Sequence, residues 1–429
     1  MVPWRLTPNH QSKVTAGRSV TVLKTLKQCF SRILPTKDGR ANTSPHDFIA
    51  ALVFTFFGDT KQSSLEGFRR QMMSHLGVEL KRSSFWERLS RDRMVSLLER
   101  LVSELIMRLT VPVLAGRLLL EQLGVSAIYV VDSSSITLRA AASDSFRGTR
   151  TAAAVKWHAC IDLLKGSVAW YQVTPGKTHD RKCFPELALL KGKLVIYDLG
   201  YWDYGLLAAI AAAGGFYLSR VKANAVLVVT EVVQGVGKKA LGKSLGDLPL
   251  RKKRASLIEV FCEKVDDGEV LRFRVIGFWN PVSHQYHWYV TNLTVLAAVI
   301  YPLYRLRWQI ELMFKGCKQS LNMNGISSSS KNIIKSLLLA SIAAYLSSQA
   351  LLRNSLDHLT EEQKFAVTYQ RIAKVSVNIS YQVLNYLLTG MQESYDRAME
   401  KIILFSRELF DPNYHHRKTS LREAQDALG

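Results

Sequence analysis

Two short apolar runs, each followed directly by an aspartate, constrain the fold of this chain more than any other feature. Residues 127–131 are Ala-Ile-Tyr-Val-Val and precede Asp132, and residues 194–197 are Leu-Val-Ile-Tyr and precede Asp198. Apolar runs of this length, rich in β-branched side chains, are typical of strands buried on both faces. We therefore expect two buried strands, each of which ends at its aspartate.

Each aspartate alone also fits a structural role, because Asp is common in turns and at the ends of strands. If the two strands are neighbours, however, the two carboxylates converge at one edge of the sheet. Like charges at that distance repel each other, and a divalent cation relieves the repulsion. A third acid from elsewhere in the chain is then expected.

The segments around these runs predict an α/β core. Residues 156–162 and 167–173 are strand-like and flank a glycine turn, which predicts a hairpin. Residues 203–213 are typical of a helix, and residues 216–221 of another strand. Strands followed by helices indicate a sheet with some parallel pairing.

The third acid is Glu311, which lies in a segment with helical periodicity. Three polar residues fall within about 60° of it on a helix of about 100° per residue; they are Tyr304, Arg307 and Lys318. An adjacent apolar stripe, about 100° wide, is expected to pack on the sheet; its members are Leu303, Leu306, Ile310, Met313, Phe314, Cys317 and Leu321. An Arg–Glu pair four residues apart also occurs in ordinary surface helices, but it does not explain the whole alignment.

A helical region precedes the strands. We expect residues 1–40 to form a basic, irregular arm and a first helix to begin after Ser44, its N-cap. Two further helices are predicted on either side of a break at residues 75–77, the second starting with a capping box at Ser84 and Glu87. This pair resembles a helix-turn-helix, whose second helix presents its N-terminal side chains to DNA. An ordinary helical subdomain with a solvated basic face fits the pattern equally well.

The net charge indicates a polyanionic partner. Lys and Arg number 57 against 35 Asp and Glu, which gives a formal charge of +22. Each phosphate that a cation neutralises releases condensed counterions, so such an excess favours nucleic acid. An anionic membrane surface is the alternative, but no basic amphipathic anchor, signal core or apolar run of about 18 residues stands out. Five scattered cysteines without a C-x-x-C pair indicate free thiols in a reducing compartment. We expect a cytoplasmic, nucleoid-associated protein without a membrane partner.

Residues 221–292 form a β-rich segment that is strongly basic in its first half. Between positions 220 and 256, nine Lys and Arg residues stand against two acids. Four of the cations are consecutive and are expected to contact the DNA backbone; they are Arg251, Lys252, Lys253 and Arg254.

Residues 237–244 match the phosphate-binding pattern G-x4-G-K-[ST]. A phosphate-binding loop needs a helix directly after it, because the aligned amides of the helix N-terminus bind the phosphates. The following residues, 245–249, contain a glycine and a proline within one turn, which excludes that helix. We therefore predict that no nucleotide binds here and that the loop touches the DNA backbone instead.

On these residues the chain resembles the DDE transposases of the insertion-sequence-four type. The hallmark of that family, Y-x2-R-x3-E-x6-K, is matched without a gap by Tyr304, Arg307, Glu311 and Lys318. The first aspartate of the family lies in a strand-Asp-Ser element, here at residues 131–134, and the second in D-x-G-[YF], here at residues 198–201. The Thr-His-Asp run at 178–180 and the run at 289–292 are also similar to the family.

The resemblance implies an α/β fold with a ribonuclease-H-like catalytic core and a β-rich insertion, flanked by N- and C-terminal helical regions. The implied domains are a helical DNA-binding domain at 1–120, the first part of the core at 121–220, the insertion at 221–292, the second part of the core at 293–355 and a C-terminal helical region at 356–429.

The resemblance also implies a function: binding the ends of a mobile element, cleaving them by metal-dependent phosphoryl transfer, and joining them to target DNA, with hairpin ends as one route. The implied catalytic acids and ligands of two Mg²⁺ ions, for which Mn²⁺ can substitute, are Asp132, Asp198 and Glu311. The implied DNA contacts are Tyr304, Arg307, Lys318 and Trp288, the last by stacking on a displaced base. The implied partners are double-stranded DNA and a second copy of the chain in a DNA-bound homodimer.

Two other functions fit parts of the pattern. A non-mobile, metal-dependent DNA nuclease would use the same acids without strand transfer, and inverted repeats flanking the gene would distinguish the two. A non-catalytic helix-turn-helix DNA-binding protein would not need all three acids, whose presence counts against it.

Overall fold

The computed structural model describes residues 11–33, 43–57, 64–109, 117–248, 255–266, 268–360, 363–364, 367–409, 423–424 and 426–428. In chain order its strands are β1 (Ile128–Thr137), β2 (Ala154–Asp162), β3 (Ser167–Pro175), β4 (Leu194–Tyr197), β5 (Phe216–Arg220), β6 (Val228–Gln234), β7 (Leu257–Asp266), β8 (Glu269–Asn280) and β9 (Gln285–Thr291). They form one nine-stranded sheet in the order β3-β2-β1-β4-β5-β9-β8-β7-β6.

The two strands that precede the aspartates are neighbours, which is the condition under which the sequence predicts that their acids converge. β1 runs parallel to β4, and β4 runs parallel to β5. The other neighbouring strands are antiparallel, including the predicted hairpin of β2 and β3. The sheet is therefore mixed, with its parallel strands at the position of the two acids.

The expectation that the first strand ends at Asp132 is wrong. β1 continues to Thr137, and its polar second half pairs with β2, with Asp132 opposite Ala159 and Thr137 opposite Ala154. Backbone hydrogen bonds from β2 hold this serine-rich stretch in the sheet, although its side chains lack the apolar pattern of a strand. β4, by contrast, ends at Tyr197 as predicted.

The β-rich segment forms strands of the same sheet. β9 pairs with β5, with Leu218 opposite Thr291, and β8, β7 and β6 extend the sheet beyond it. After β5 the chain thus crosses to β6 at the far edge of the sheet and returns strand by strand to β9, which lies beside β5.

The helices are α1 (Gln11–Ile33), α2 (Pro45–Thr55), α3 (Leu65–Leu76), α4 (Arg82–Ser90), α5 (Asp92–Arg108), α6 (Arg117–Leu123), α7 (Tyr204–Ala212), α8 (Ala297–Arg305), α9 (Trp308–Ser320), α10 (Lys331–Arg353), α11 (Tyr369–Ser376), α12 (Ser380–Thr389) and α13 (Gln392–Ser406).

The predicted irregular arm is wrong for the described part of residues 1–40, because α1 is a helix whose Leu23, Leu26 and Phe30 are fully buried. The predicted N-cap is confirmed: Ser44 Oγ accepts a hydrogen bond from the backbone N–H of Asp47.

The predicted pair of helices is present, but the predicted first residue of the second helix is wrong. α3 ends at Leu76, and Gly77 follows with a φ of 66°, a conformation that glycine adopts without strain. α4 begins at Arg82, so Ser84 lies inside the helix and does not cap it.

One continuous apolar cluster joins the N-terminal helices, one face of the sheet and the C-terminal helices, and a second cluster covers the opposite face beneath α7. α10 runs through the first cluster, where its Ser336 Oγ donates a hydrogen bond to the carbonyl of Leu89 at the end of α4. Among the described helices, α10 alone is long and apolar enough to cross a membrane. Because 94% of its apolar window is buried inside the protein, it has the character of a core helix.

Candidate active site

The two aspartates lie side by side on adjacent parallel strands. Val131 of β1 is opposite Tyr197 of β4, and each is followed directly by its aspartate. The carboxylate of Asp132 accepts a hydrogen bond of 2.7 Å from the backbone N–H of Ser133. The convergence of two acids that the sequence predicts for neighbouring strands is therefore present at this edge of the parallel strands.

Glu311 reaches this edge because α9 packs on the same face of the sheet. The ring of Phe314 meets the ring of Trp157 on β2 edge-on, with 5.2 Å between the ring centres. The predicted apolar stripe is buried throughout. The expectation that this stripe packs on the sheet is confirmed.

The predicted continuous helix is two helices, α8 and α9, separated at Leu306 and Arg307. At this break the N–H groups of Leu306 and Arg307 bond to carbonyls three residues earlier, those of Leu303 and Tyr304. Such bonds make a tighter turn than the α-helix. The side chains of Tyr304 and Arg307 nevertheless stay on the side of the acids.

Arg307 lies between two of the acids. Its Nη1 donates a hydrogen bond of 3.2 Å to Oδ2 of Asp132, and its Nη2 donates one of 2.5 Å to Oε1 of Glu311. Tyr304 Oη lies 3.5 Å from Oδ1 of Asp198, and Lys318 Nζ donates a hydrogen bond of 2.8 Å to the carbonyl of Ser135 on β1. All four signature residues thus contact one another, the aspartates or the strand of Asp132.

The electrostatics of this cluster are unbalanced. Burial, with smaller contributions from Asp198 and Glu311, raises the pKa of Asp132 against the opposing effects of the Ser133 N–H and Arg307, and the net pKa is about 6. Burial would lower the pKa of Arg307, but Tyr304 and the three acids outweigh it and raise that pKa. One buried cation therefore faces three carboxylates, an arrangement that favours the arrival of more positive charge.

The carboxylate set has the chemistry of a Mg²⁺ site, because hard cations prefer oxygen ligands. As placed, however, no group of three or more Asp, Glu, His or Cys side chains in the described part of the chain could hold a metal ion. The guanidinium of Arg307 lies between Asp132 and Glu311. The three carboxylates are suitable ligands for a divalent cation. In this structure, however, the spacing of Asp132 and Glu311 accommodates the guanidinium of Arg307.

Trp288 lies apart from this cluster. It packs on the face of the sheet opposite Tyr289, with its ring 5.5 Å from that of Tyr286 and close to Gly277. Tyr289 lies on the face of the acids, where its ring centre is 5.0 Å from that of Tyr304. The role expected for Trp288 stays a prediction.

The structure describes one of the two other regions that are predicted to contact DNA, the start of α4, but not the basic cluster. The basic cluster at 251–254 lies outside the described residues. At the start of α4, Lys81 and Arg82 are exposed as a recognition helix requires, whereas Phe85 is buried. After the residues that match a phosphate-binding loop, the described chain to residue 248 has only a short 3₁₀ turn, so the predicted lack of a helix there is confirmed.

The sequence patterns missed a polar cluster behind Asp132. It consists of Ser133, Lys156, His158, Asp180 and Tyr201. Two of its members alternate as Lys-x-His on a strand that is otherwise almost entirely apolar. That alternation is the signal that could have shown the cluster.

The chain is similar to a family of transposase domains and to curated transposase sequences. Residues 124–347, just over half of the chain, match the family described as Transposase DDE domain. The Sinorhizobium fredii (strain NBRC 101917 / NGR234) protein y4zB, to which its name assigns a transposase role, is 28% identical over 212 residues, covering 46% of this chain and 52% of that protein. The transposase for insertion sequence element IS231F of Bacillus thuringiensis subsp. israelensis is 24% identical over 269 residues, covering 53% of this chain and 56% of its own length.

The chain thus spans about half the length of these curated relatives. A cryo-EM structure of the piggyBac transposase synaptic complex with hairpin DNA is similar with a TM-score of 0.43 and 11% identity, over 90% of this chain and 83% of that one.

Proposed function

The chain belongs to the transposase DDE domain family, and we propose that it is an enzyme of the insertion-sequence-four type that cuts DNA at the ends of a mobile element and joins those ends to target DNA. The observation that carries this proposal is the meeting of Asp132, Asp198 and Glu311 with the signature residues at one edge of the sheet. The mixed strands β3-β2-β1-β4-β5, which carry both aspartates, support the implied ribonuclease-H-like core.

In this proposal Asp132, Asp198 and Glu311 hold Mg²⁺, and Mn²⁺ can replace it. When bound, such ions activate the attacking oxygen and stabilise the leaving oxygen of a phosphoryl transfer. For the three carboxylates to close on a cation, Asp132 has to lose its proton and Arg307 has to withdraw from between Asp132 and Glu311. The first step is largely complete at neutral pH, because the pKa of Asp132, although raised, is about 6.

The withdrawn Arg307 would bind a phosphate next to the scissile bond. Its Nε is buried and has no hydrogen-bond partner among the described residues, so a donor is already available. Lys318 extends from the same helix, and burial lowers the pKa of its ammonium group. Tyr304 lies beside Asp198. We assign these three residues to the DNA strand at the active site.

The rest of the DNA would bind through basic surfaces outside the active site. The formal charge of +22 supplies the general attraction. We propose that the N-terminal end of α4 binds the DNA of the element's ends and that the basic cluster at 251–254 contacts the DNA backbone. We further propose that the active form is a homodimer bound to two element ends. Hairpin intermediates belong to the same proposal, with Trp288 as the residue that stacks on a displaced base.

The experiment starts from the DNA that flanks the gene. Terminal inverted repeats found there are placed on a labelled duplex and incubated with the purified chain, a target plasmid and Mg²⁺. We expect cleavage at the repeat ends and joined products, and a denaturing gel separates hairpin ends from open ends. Cleavage without joining would indicate a nuclease, and binding without cleavage a regulator. Glu311→Gln, of nearly the same size, is the matched control, and it should bind without cutting.

A further inference from the structure

We propose that Asp180 is a positioning residue that fixes both active-site aspartates from the reverse face of the sheet. The inference rests on the proposed function, because it assigns a role in the same site. It concerns a carboxylate that is separate from the three acids and that contacts neither Arg307 nor Glu311 in the hydrogen bonds of the described residues.

The first contact of Asp180 is with the residue next to Asp132. Side chains alternate between the two faces of a strand, so Ser133 points away from the face that carries Asp132. Ser133 Oγ donates a hydrogen bond of 2.9 Å to Oδ1 of Asp180. The backbone N–H of the same serine donates to the Asp132 carboxylate. A shift of Ser133 would therefore move the hydrogen bond that orients Asp132.

The second contact is with the turn that follows Asp198. Residues 199–201 form a 3₁₀ turn directly after that aspartate. A Cβ atom added at Gly200 would lie 3.1 Å from Oδ2 of Asp180, which is closer than nearly all such contacts in proteins. Asp180 therefore packs tightly against this turn, and a side chain at position 200 would require Asp180 to shift by a few tenths of an ångström. One carboxylate thus touches the chain next to each of the two aspartates.

Asp180 is itself held in place. Lys156 Nζ donates a hydrogen bond of 3.0 Å to its Oδ1 and one of 2.8 Å to the carbonyl of Thr178. The exposed fraction is 13% for the side chain of Lys156 and 27% for that of Asp180, so water screens this pair only in part. Behind them lies His158, which is fully buried. Burial lowers its pKa to about 4, so at neutral pH it is uncharged and its contact with Asp180 is not an ion pair.

The expected consequence is weaker metal binding. Partners that orient metal ligands typically contribute about 10- to 100-fold in affinity or activity. Replacing Asp180 leaves all three proposed ligands in the chain but frees Ser133 and the turn at Gly200 to move. Replacing Asp180 should therefore lower the affinity of the site for the metal ion without removing any of the proposed ligands.

The test compares Asp180→Asn with Asp162→Asn. Asp162 is the control, since it ends β2, the strand of Lys156 and His158, is buried and pairs with Lys165, but is opposite Tyr129, three positions from Asp132 along β1. Mn²⁺ binding is measured by the electron paramagnetic resonance signal of the free ion, next to melting temperature and DNA cleavage. We expect Asp180→Asn to weaken Mn²⁺ binding about 10- to 100-fold and Asp162→Asn to leave it unchanged. Unchanged Mn²⁺ affinity in folded Asp180→Asn would overturn the proposal.

Gly200→Ala tests the contact from its other side, without a change at Asp180, and a double-mutant cycle with Asp180→Ala shows whether the two positions act together. Gly200→Ala should weaken Mn²⁺ binding and cleavage because its Cβ displaces Asp180, whereas adding Gly200→Ala to Asp180→Ala should cost little more. Purely additive effects would show that the two residues act separately and would contradict the inference. If the wild-type chain neither binds Mn²⁺ nor cuts DNA, the proposed function fails instead, so the two failures are distinguishable.

Discussion

Arg307 donates a hydrogen bond to Asp132 across 175 residues of sequence, at a distance of 3.2 Å. The same guanidinium binds Glu311, one turn along α9. An arginine in this position is an internal counter-ion for carboxylates that would otherwise repel each other. It also occupies the space that a divalent cation needs.

Removing this guanidinium should therefore have opposite effects on metal binding and on DNA cleavage. In Arg307→Ala we expect the free protein to bind Mn²⁺ several-fold more tightly, because no side chain competes for Asp132 and Glu311. DNA cleavage and joining should nevertheless fall at least tenfold, with DNA binding changed little, since Arg307 would bind only one of the many phosphates along the DNA. Electron paramagnetic resonance measures the first effect, and gel assays measure the others.

Arg307→Lys separates this role from a simple surface ion pair. A lysine keeps the charge but not the two parallel donors that reach both carboxylates, so the exchange should impair cleavage almost as much as alanine. A nearly silent Arg307→Lys variant would show that Arg307 only bridges Glu311 and would count against our assignment.

The three acids should be needed for DNA cleavage but not for DNA binding. Replacing Asp132, Asp198 or Glu311 by Ala should abolish metal-dependent cleavage, because each is a proposed metal ligand, while the basic surfaces keep binding the element's ends. Electrophoretic mobility shifts and cleavage gels on the same samples measure both properties. Full cleavage by Glu311→Ala would contradict the site assignment.

Asp132 should also reduce the stability of the metal-free protein at neutral pH. Its pKa is raised from 3.8 to about 6 in the folded chain, mainly by burial, so the folded state binds the proton more tightly than the unfolded state. Stability is therefore unaffected by this group below about pH 4, falls as pH rises from about 4 to 6, and stays lower above pH 6. Asp132→Asn should raise the free energy of unfolding at pH 7.5 by roughly 3 kcal/mol, with the gain vanishing towards pH 4. Chemical denaturation in the presence of a chelator measures it, and a loss of stability at pH 7.5 would mean that the Arg307 contact outweighs burial.

Much of the site could be predicted from local pattern because its main elements follow local rules. The β-branched runs before Asp132 and Asp198 predicted two buried strands, and the 3.6-residue period placed Glu311 beside its apolar stripe, although the pairing of the two strands came only from the structure. The extension of β1 beyond Asp132 could not be predicted, because polar serines stay in the sheet only through pairing with β2. The break at Leu306 and Arg307 did not show in the sequence, because the apolar period continues through it.

Local pattern could have shown only part of the cluster around Asp180, namely the alternation of Lys156 and His158 on β2. Its partners come from β1, β2 and the turns near residues 180 and 200, which only the folded sheet brings together. A histidine such as His158 on an apolar strand is ordinarily a buried core residue, and nothing local shows that a carboxylate lies behind it. Sequence spacing alone therefore finds the acids but not the residues that orient them.

The basic segment gives a test in which the two interpretations of its residues predict opposite results. A nucleotide-binding loop would need Lys243 for the phosphates, so Lys243→Ala would abolish ATP or GTP binding. We expect no nucleotide binding in the wild type, since the short 3₁₀ turn at 245–247 offers no helix N-terminus to a phosphate.

Replacing Arg251, Lys252, Lys253 and Arg254 together by Gln should instead lower DNA affinity and flatten its salt dependence. The log–log slope should change by about 0.9 for each phosphate that the variant no longer neutralises. Random and end-containing DNA should weaken alike, because counterion release carries no sequence information. Fluorescence anisotropy across a salt series measures the slope, and a measurable ATP affinity with an unchanged slope would reverse the assignment.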